Sequence, residues 1–338
     1  MKAFIINKPY ESEVGEYSLR DLKEDEVLVK VKACGICGTD IHIFKGEFPA
    51  KFPVIPGHEF SGVVEEVGEN VTRFKKGDRV AVNPNIPCGK CYYCKRGLTH
   101  FCVNWNAIGI HLPGAYAEYA IVPEANLYSF PEYLEFEEAA FAEPVACVLH
   151  GQDLINISLG DTVVVYGLGP IGLLHLQLSM IRGASKVIGV DIVEKKLKIA
   201  EELGAEYVFN ALEKDVPEEI KKVLGRGADV AIEASGSIKA FEDAIKSVDY
   251  GGKVLVFGVA PENATATVKP FNIYRREIEI IGSFTNPFTT GRAVKILASR
   301  KINVKKIISH RISLDEVQEY YKKIMERDKT ILKVIVKP

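Results

Sequence analysis

Residues 163–177, "VVVYGLGPIGLLHLQ", decide the fold of the middle of this chain. An apolar run leads directly into Gly167, Gly169 and Gly172, which have the spacing G-x-G-x-x-G, and a helical apolar pattern follows at once. A strand, a glycine-rich turn and a helix in this order indicate a dinucleotide-binding unit. Gly167 allows the tight turn, Gly169 lets the backbone approach a pyrophosphate, and Gly172 lets the helix pack closely against the sheet. The helix N-terminus faces the phosphates in such units, and it adds two residues to the predicted cofactor site, Pro170 and Ile171.

The acidic residue that completes this pattern is Asp191, about 20 residues beyond Gly172 and at the end of the next apolar strand. A carboxylate at this position accepts hydrogen bonds from both ribose hydroxyls of NAD, and its charge repels the 2′-phosphate of NADP. NAD is therefore the predicted cofactor. Lys195 and Lys196 follow closely enough to weaken this discrimination.

Short apolar runs alternate with helical patterns through the middle of the chain. The runs are "KVIGVD" (186–191), "DVAIEAS" (229–235) and "GKVLVFG" (252–258), and one of the helical patterns is "KKLKIAEELG" (195–204). Such alternation predicts an α/β domain with a doubly wound parallel sheet. We assign residues 147–285 to this domain.

The earlier part of the chain, from about residue 23 to residue 130, has a different pattern. Runs such as "EVLVKVKA" (26–33) and "FSGVVEEVG" (60–68) are short and are separated by Gly, Pro and Asp turns. Short strands with frequent turns of this kind predict a compact, mainly antiparallel domain.

The last part of the chain has two helical patterns and a final alternating strand, "ILKVIVKP". Ser313 and Glu316 match a capping box, which predicts that the last helix begins near Leu314. The simplest arrangement packs this tail onto the first domain, which then comprises residues 1–146 and 286–338. The cleft between the two domains is the predicted site.

The composition is that of a globular protein, with 47% hydrophobic and 26% charged residues among 338, and this length suits two separate cores. The formal charge of -2 lacks the basic excess of nucleic-acid-binding proteins. No apolar run reaches the roughly 18 to 20 residues that span a bilayer, and the N-terminal stretch meets charge before it could form a signal-peptide core. We therefore predict a cytoplasmic protein that binds neither nucleic acid nor membrane.

Four of the seven cysteines lie within "CGKCYYCKRGLTHFC" (88–102). In a cytoplasmic chain with an odd number of cysteines, clustered thiols favour a metal site over disulfides. Four thiolates complete a tetrahedral zinc shell and leave no position for water or substrate, so such a zinc would be structural. An iron–sulfur cluster is the main alternative, because the spacing alone does not decide. The predicted ligands are Cys88, Cys91, Cys94 and Cys102.

A second set of metal-binding residue types is spread over separate segments. Cys37 and His58 can share one zinc ion, and Glu59 and Glu143 are carboxylates available beside them. A catalytic zinc takes three protein ligands and keeps one exchangeable position, so this set suits an open site. Cys34 and Cys37 also form a C-x-x-C pair, which leaves a redox pair as an alternative.

The motifs together resemble those of the zinc-dependent medium-chain alcohol dehydrogenases, in order and over nearly the whole chain. They are "CGICGTDIH" (34–42), "GHEFSG" (57–62), the four-cysteine loop, "EPVACVLHG" (143–151) and "GLGPIG" (167–172). The run "YRREIEIIGSF" followed by "NPF" is similar to the branch that contains sorbitol and other polyol dehydrogenases, threonine dehydrogenases and sugar-acid oxidoreductases. The resemblance implies a GroES-like catalytic domain, a Rossmann domain and an active site in the cleft between them.

The resemblance also implies roles for individual residues. Cys37 and His58 would bind the catalytic zinc, with Glu59 as a third or alternating ligand. Glu143 stands where liver-type alcohol dehydrogenases have a cysteine ligand, so it would bind the metal directly or through water. Cys34 is not expected to bind, because the family uses the later cysteine of that motif.

The family also places Thr39 and His42 in a relay that carries the substrate proton to solvent. These features predict zinc-dependent oxidation of a secondary alcohol of a polyol or sugar derivative by NAD, giving the ketone. L-Threonine 3-dehydrogenase and sugar-acid (hexonate) dehydrogenase are the alternative enzymes, and in the second Arg276 could grip a carboxylate. A catalytically inactive NAD-binding protein is the alternative from another class. Family members are dimers or tetramers, so the resemblance implies a homo-oligomer, either a homotetramer or a dimer.

Overall fold

The computed structural model describes residues 1–338. The chain forms two compact units. The first unit contains Met1–Ala146, Asn286–Arg300 and Ile307–Pro338, and the second contains Cys147–Thr285 and Lys301–Lys306. Residues 301–306, predicted from the sequence to belong to the first domain, pack with the second unit. The reason is local hydrogen bonding, since the Asn303 N–H donates to Gln177 Oε1 at 2.6 Å and Lys306 Nζ donates to Glu202 at 2.7 Å.

The secondary structure comprises seventeen strands and eleven α-helices. In chain order the strands are β1 (Lys2–Lys8), β2 (Glu11–Glu16), β3 (Glu26–Gly35), β4 (Glu59–Val67), β5 (Arg79–Val82), β6 (Asn85–Ile86), β7 (Asn106–Ala107), β8 (Tyr119–Pro123), β9 (Leu127–Ser129), β10 (Thr162–Tyr166), β11 (Lys186–Asp191), β12 (Tyr207–Asn210), β13 (Ala228–Glu233), β14 (Val248–Val256), β15 (Glu279–Gly282), β16 (Ile308–Ile312) and β17 (Lys333–Val336). The helices are α1 (Gly38–Lys45), α2 (Tyr92–Lys95), α3 (Phe136–Ala139), α4 (Ala142–Ile155), α5 (Pro170–Ile181), α6 (Glu194–Glu202), α7 (Val216–Leu224), α8 (Ile238–Ser247), α9 (Pro270–Arg276), α10 (Thr290–Ala298) and α11 (Val317–Met325).

The second unit contains a six-stranded sheet in the order β12-β11-β10-β13-β14-β15, and every neighbouring pair is parallel. All five residues of the central strand β10 are buried. This burial explains why the strands of the sheet are uninterrupted apolar runs, since a parallel sheet with helices on its faces buries both sides of each strand. The doubly wound parallel sheet predicted from the sequence is confirmed.

The first unit contains a seven-stranded sheet, whose main path is β16-β17-β3-β4-β5-β9 with β8 also paired to β3. The pairs are antiparallel except for β16 with β17. One core of buried side chains lies against this sheet and includes Val27, Val29, Phe60, Tyr116 and Tyr321. The predicted mainly antiparallel domain is confirmed, and its C-terminal strand β17 joins the sheet beside β3, far away in the sequence.

The predicted capping box is present at Ser313 and Glu316, where each residue satisfies the backbone N–H or side chain of the other. It opens a 3₁₀ turn over Leu314–Glu316, and the α-helix proper begins one turn later, at Val317. No helix in the structure is both long enough and apolar enough to cross a membrane.

Candidate metal and cofactor sites

The four cysteines of the loop between β6 and β7 lie together. The four sulfur atoms all lie within 4.8 Å of one another, and they belong to Cys88, Cys91, Cys94 and Cys102. The loop also aims backbone N–H groups at the sulfurs, as the Cys88 N–H does toward Cys102 Sγ at 3.2 Å. Four clustered sulfurs of this kind are the ligand set of a structural zinc site.

The electrostatics of this group favour a bound cation. Hydrogen bonds from the backbone of Cys94 and Val103 lower the pKa of the Cys91 thiol to about 6. Burial and the neighbouring sulfurs raise the pKa of Cys94 to about 12. The loop therefore stabilises one thiolate and disfavours the next, and a cation removes this conflict because it is attracted to every sulfur. The four-cysteine group fits a zinc ion.

Cys37, His58 and Glu59 form the second group of possible ligands. One ligand atom from each lies within 4.8 Å of the other two. Cys37 is the N-cap of α1, and Glu59 begins β4, where the antiparallel ladder pairs it with Gly35 of β3. The sheet thus brings together two motifs that are separate in sequence. His58 and Glu59 are only 5% and 2% exposed, so the group is built into the interior of the first unit.

The buried carboxylate of Asp40 is the main polar contact of this second group. Its Oδ2 accepts from the Cys37 N–H at 2.8 Å and from the Tyr116 hydroxyl at 2.9 Å, and its Oδ1 lies 3.4 Å from His58 Nδ1. Burial alone would raise the pKa of Asp40, but the His58 imidazole and these hydrogen bonds lower it. Asp40 is therefore a carboxylate that orients the histidine, as carboxylates do behind metal-binding histidines.

The same negative charges act on His58. Burial alone would lower the pKa of His58, but Asp40 and Cys37 raise it well above its ordinary value. Surroundings that favour a positively charged imidazolium also favour a metal cation bound to the neutral imidazole. The donor set of one sulfur, one imidazole and one carboxylate suits a zinc ion that keeps an exchangeable position. The Cys37–His58–Glu59 group therefore fits the metal that its residues suggest.

Lys333 is a neighbour of this group that the sequence analysis did not identify. Its ammonium pairs with Glu59 Oε2, donates to the Ile36 carbonyl at 2.9 Å and lies in a side chain only 5% exposed. Burial alone would lower the pKa of Lys333, but the charges of Glu59 and Cys37 raise it. Lys333 lies on the C-terminal strand β17 in an alternating run, and no local pattern distinguishes it from a surface lysine.

Cys34 and Glu143 lie outside the Cys37–His58–Glu59 group. Cys34 is fully buried, and burial followed by the charges of Asp40 and Glu59 raises the pKa of its thiol well above the ordinary value. Glu143 lies in the first turn of α4, and its Oε1 accepts a hydrogen bond from Asn286 Nδ2 at 3.1 Å. The predicted role of Glu143 as a metal ligand stays a prediction.

Thr39 and His42 lie in α1, three residues apart, which places them on one face of the helix. Thr39 Oγ1 is 3.7 Å from Cys37 Sγ, and His42 is exposed with its Nδ1 2.8 Å from Glu47 Oε2. The hydrogen bond with His42 lowers the pKa of Glu47. One hydroxyl therefore lies beside a possible zinc ligand, and one imidazole is open to solvent.

The glycine fingerprint lies between β10 and α5, as the sequence predicts. Gly167 has φ of +90°, and a Cβ at Gly172 would overlap the Gly167 carbonyl oxygen, so both positions require glycine. A Cβ at Gly169 would meet nothing within 4 Å, which leaves open space where a pyrophosphate would approach the N-terminus of α5. Pro170 and Ile171 form the first turn of this helix. The loop fits a dinucleotide.

Asp191 ends β11 and is held by the backbone around it. Its Oδ2 accepts from the Leu168 N–H of the glycine loop at 2.7 Å, and its Oδ1 accepts from the N–H groups of Ile192 and Val193 at 2.8 and 3.0 Å. Lys196 Nζ lies 3.6 Å from Oδ2. The carboxylate is fixed at the position expected for ribose recognition, with a cation beside it.

Arg276 does not present its guanidinium to a ligand. It donates to the main-chain carbonyls of Ile245 and Val248 within the second unit. The residue ties α9 to the end of α8, so the sequence-based suggestion that it grips a sugar acid has no support in these contacts.

Comparison with known proteins is consistent with both sites. Residues 23–132 match the alcohol dehydrogenase GroES-like domain family, and residues 170–299 match the zinc-binding dehydrogenase family. D-arabinitol dehydrogenase 1 of Uromyces fabae is 37% identical over all of this chain and 97% of its own length. Sorbitol dehydrogenase of Bacillus subtilis (strain 168) is 33% identical over the same shares of both chains.

A protein from Sinorhizobium meliloti 1021, solved bound to NADP, has a TM-score of 0.95 and 38% identity, with 100% of this chain and 99% of that chain covered. Identity at this level over the whole length extends to both predicted domains and not to one motif alone. The chain therefore belongs to the zinc-binding alcohol dehydrogenases with a GroES-like and a Rossmann domain, and it is an oxidoreductase that uses zinc and a nicotinamide cofactor on a small-molecule alcohol.

Proposed function

We propose that this enzyme oxidises a secondary alcohol of a polyol or sugar derivative to the ketone, with NAD as hydride acceptor and two zinc ions per chain. The observation that carries the proposal is the Cys37–His58–Glu59 group in a chain that also has the complete glycine fingerprint. The relatives named as arabinitol and sorbitol dehydrogenases support the substrate class.

Cys37, His58 and Glu59 would hold the catalytic zinc, which when bound supplies the Lewis acidity that lowers the pKa of an alcohol hydroxyl. The protein contributes order around these ligands. Asp40 fixes the His58 ring, and Lys333 fixes the Glu59 carboxylate through a buried ion pair. The ligands are therefore held in place before a substrate arrives, which is the condition for efficient electrostatic catalysis. Glu143, in this proposal, lies beside the metal as a direct or water-mediated ligand.

Thr39 and His42 would carry the hydroxyl proton away. A threonine hydroxyl can accept a proton only if it passes one on, and His42 is exposed and can release a proton to solvent. Glu47 holds the His42 ring through Nδ1, which leaves Nε2 to exchange protons. Replacing His42 should slow the reaction, because the proton then has no acceptor between Thr39 and solvent.

The cofactor preference follows from Asp191. Its fixed carboxylate suits the two ribose hydroxyls of NAD and opposes a 2′-phosphate. Lys196 lies beside the carboxylate, and its positive charge weakens the repulsion of a 2′-phosphate. The structure of the similar Sinorhizobium meliloti protein was solved with NADP. We expect NAD to be preferred by kcat/KM and NADP to be used more slowly.

The deciding experiment is an assay of the zinc-replete enzyme with NAD and sorbitol, xylitol, D-arabinitol, L-threonine and a hexonate. NADH formation with polyols in preference to the other substrates is the expected result. Elemental analysis should find two zinc ions per chain, and one in Cys37→Ser. Turnover with none of these alcohols would favour the alternative of an inactive NAD-binding protein.

L-Threonine oxidation is the second candidate. L-Threonine 3-dehydrogenase of Chelativorans sp. (strain BNC1) is 34% identical over 94% of this chain, close to the values for the polyol dehydrogenases. Threonine carries a secondary hydroxyl, so the zinc and nicotinamide chemistry would be the same. The substrate panel separates the two, since threonine also needs recognition of its ammonium and carboxylate groups.

We also propose a homo-oligomer, either a dimer or a homotetramer, in the cytoplasm. The strand β15 forms the edge of the parallel sheet, with Ile280 exposed on it and Phe271 and Tyr274 exposed on α9 at 68% and 78%. An open edge with exposed apolar side chains favours pairing with a second copy. A Cys₄ metal site needs reduced thiols, which the cytoplasm maintains. Light scattering of the protein and of Ile280→Lys would test the assembly.

A further inference from the structure

The carboxyl ends of β10 and β13 lie side by side in the parallel sheet. Tyr166 of β10 pairs with Glu233 of β13, and the Ala234 N–H donates to the Tyr166 carbonyl at 2.8 Å. From β10 the chain extends the sheet through β11 and β12, and it then returns to add β13 on the other side of β10. The strand order therefore reverses between β10 and β13. Ligands of open α/β sheets bind in the crevice at such a point, outside the carboxyl ends of the strands.

The turn that follows β13, residues 234–237, contacts the glycine fingerprint. A Cβ added at Gly167 would lie 2.6 Å from Ser235 Cβ and 2.9 Å from the Ser235 backbone nitrogen. Gly167 is the first glycine of the fingerprint, so no space separates the two loops. The position of the turn therefore determines the width of the crevice beside the predicted pyrophosphate-binding loop.

The side chain of Glu233 holds this turn. Its Oε1 accepts from the Ser235 N–H at 2.7 Å, from the Ser235 hydroxyl at 2.5 Å and from the Gly236 N–H at 2.9 Å. Glu233 is only 2% exposed, and a buried carboxylate is stable when hydrogen-bond donors surround it in this way. Loss of the carboxylate would leave two backbone N–H groups of the turn without their acceptor.

Glu233 also connects the turn to the loop after β14. Its main-chain carbonyl accepts from the Phe257 N–H at 2.9 Å and from the Gly258 N–H at 2.8 Å. A Cβ at Gly258 would lie 2.2 Å from the Gly236 nitrogen and 2.6 Å from Glu233 Oε2. The loops that leave β10, β13 and β14 are therefore packed against one another, with this one carboxylate between them.

Asp229 provides a comparison at the other end of the same strand. Its Oδ2 accepts from the Thr162 N–H at 2.7 Å and from the Thr162 hydroxyl at 2.8 Å, where β10 begins. Each end of β13 thus carries a carboxylate that accepts from a backbone N–H and from a hydroxyl. Only Glu233 lies at the carboxyl edge of the sheet, where a ligand binds.

We propose that Glu233 is a positioning residue for the dinucleotide, and that it holds the turn 234–237 at the distance from the glycine fingerprint that the cofactor needs to cross the switch point. This role rests on the proposed use of NAD. Asp191 lies on the β11 side and suits the adenosine ribose, so the cofactor beyond the pyrophosphate extends to the β13 side. Because Glu233 is buried, it acts through Ser235 and Gly236.

The test compares NAD with AMP, which contains only the adenosine half of the cofactor. Calorimetry of the zinc-replete enzyme without alcohol measures both dissociation constants. Glu233→Ala should raise the Kd of NAD about 10-fold to 100-fold, because the turn loses its acceptor, while the Kd of AMP should change less than about 2-fold. Glu233→Gln keeps an oxygen that can accept the same hydrogen bonds, so its Kd for NAD should stay within about 5-fold of wild type.

Asp229→Ala is the matched control. Both alanine variants should unfold at lower urea concentration than wild type, but Asp229→Ala should leave the affinities for NAD and AMP within about 2-fold of wild type. Equal losses of NAD affinity in the two alanine variants would show that Glu233 contributes only stability. Equal weakening of NAD and AMP in Glu233→Ala, or an unchanged NAD affinity, would also overturn the proposal.

Gly236→Ala moves the same turn and keeps the carboxylate. Gly236 has φ of +72°, and a Cβ there would lie 2.4 Å from the Val259 carbonyl oxygen. This variant should show the same selective loss of NAD affinity, and it decides the proposal if Glu233→Ala does not fold. If the wild-type enzyme binds NADP and not NAD, the proposed cofactor preference fails, and the same comparison with NADP and adenosine 2′,5′-bisphosphate then decides the role of Glu233.

Discussion

The four-cysteine group and the Cys37–His58–Glu59 group are both possible metal sites, and they are built in opposite ways. The first takes all its ligands from residues 88–102, with sulfurs that contact the backbone of their own loop. The second is assembled from residues at the starts of α1 and β4. Its polar neighbours are Asp40, in the first turn of α1, and Lys333, on the distant strand β17. A closed shell of identical ligands can only stabilise a loop, whereas an open, mixed shell supported by buried charges can take part in chemistry.

The strongest test of this comparison is removal of one ligand from the open group. Cys37→Ser should lower kcat/KM on the order of a thousandfold, because the Lewis acid supplies several kcal/mol of transition-state stabilisation. The melting temperature should change little. Elemental analysis and steady-state assays check both statements. Cys34→Ala, three residues earlier and outside the group, should keep both zinc ions, and loss of one ion in that variant would contradict the assignment.

The opposite result is expected when a ligand is removed from the closed group. Cys91→Ser should lower the melting temperature on the order of 10 °C, because a structural metal site contributes folding free energy directly. The fraction that remains folded should retain most of its kcat with 2-butanol. Calorimetry together with assays at low temperature measures the two effects. A variant that keeps its melting temperature and loses turnover would reverse the roles of the two groups.

A smaller effect is expected from the partners that only the open group has. Asp40→Asn keeps the shape of the side chain and removes the charge that faces His58. The affinity of the catalytic site for zinc should fall about 10-fold to 100-fold, as for other carboxylates behind metal-binding histidines. Competition with a chelator should show the lower affinity for only one of the two bound zinc ions. The matched control is Asp315→Asn, which breaks an exposed ion pair with Lys2 that includes no residue of either group.

The difference between a site built from one local segment and a site assembled by the fold also explains what the sequence could predict. The four-cysteine loop, the glycine fingerprint and the capping box are local patterns in which spacing determines geometry, so their residues could be named in advance. The C-terminal strand was also visible from its alternation. The pairing of Lys333 with Glu59 was not visible in the sequence, and neither were the hydrogen bonds that connect Trp105, Asn85, Asn286 and Glu143. These contacts join residues that only the fold brings together. Asp40 lies inside a recognised motif. Its role in orienting His58 could not be predicted, because it depends on a buried carboxylate that stays ionised.

The first unit is held together by ion pairs between distant segments, and one of these predicts how its stability depends on pH. Glu137 of α3 accepts from Arg311 of β16 at 2.8 Å and pairs with Lys337 at 2.5 Å, next to the strand that carries Lys333. Burial alone would raise the pKa of Glu137, but its hydrogen bonds with Arg311 and Lys337 lower it. A carboxyl group with a lowered folded pKa stabilises the protein fully above its unfolded pKa, and this stabilisation is lost as the pH falls through the folded value.

Glu137→Gln should therefore reduce the free energy of unfolding by about 2 kcal/mol at pH 7. The difference from wild type should begin to shrink near pH 4.5, the ordinary pKa of the group, and should vanish at lower pH, where wild-type Glu137 is also neutral. Urea unfolding across this range measures it. Glu65→Gln, which breaks the exposed pair with Lys76, should have no measurable effect because exposed pairs contribute little. A Glu137→Gln deficit that persisted at pH 3 would show that shape and not charge holds β16 and β17 to α3.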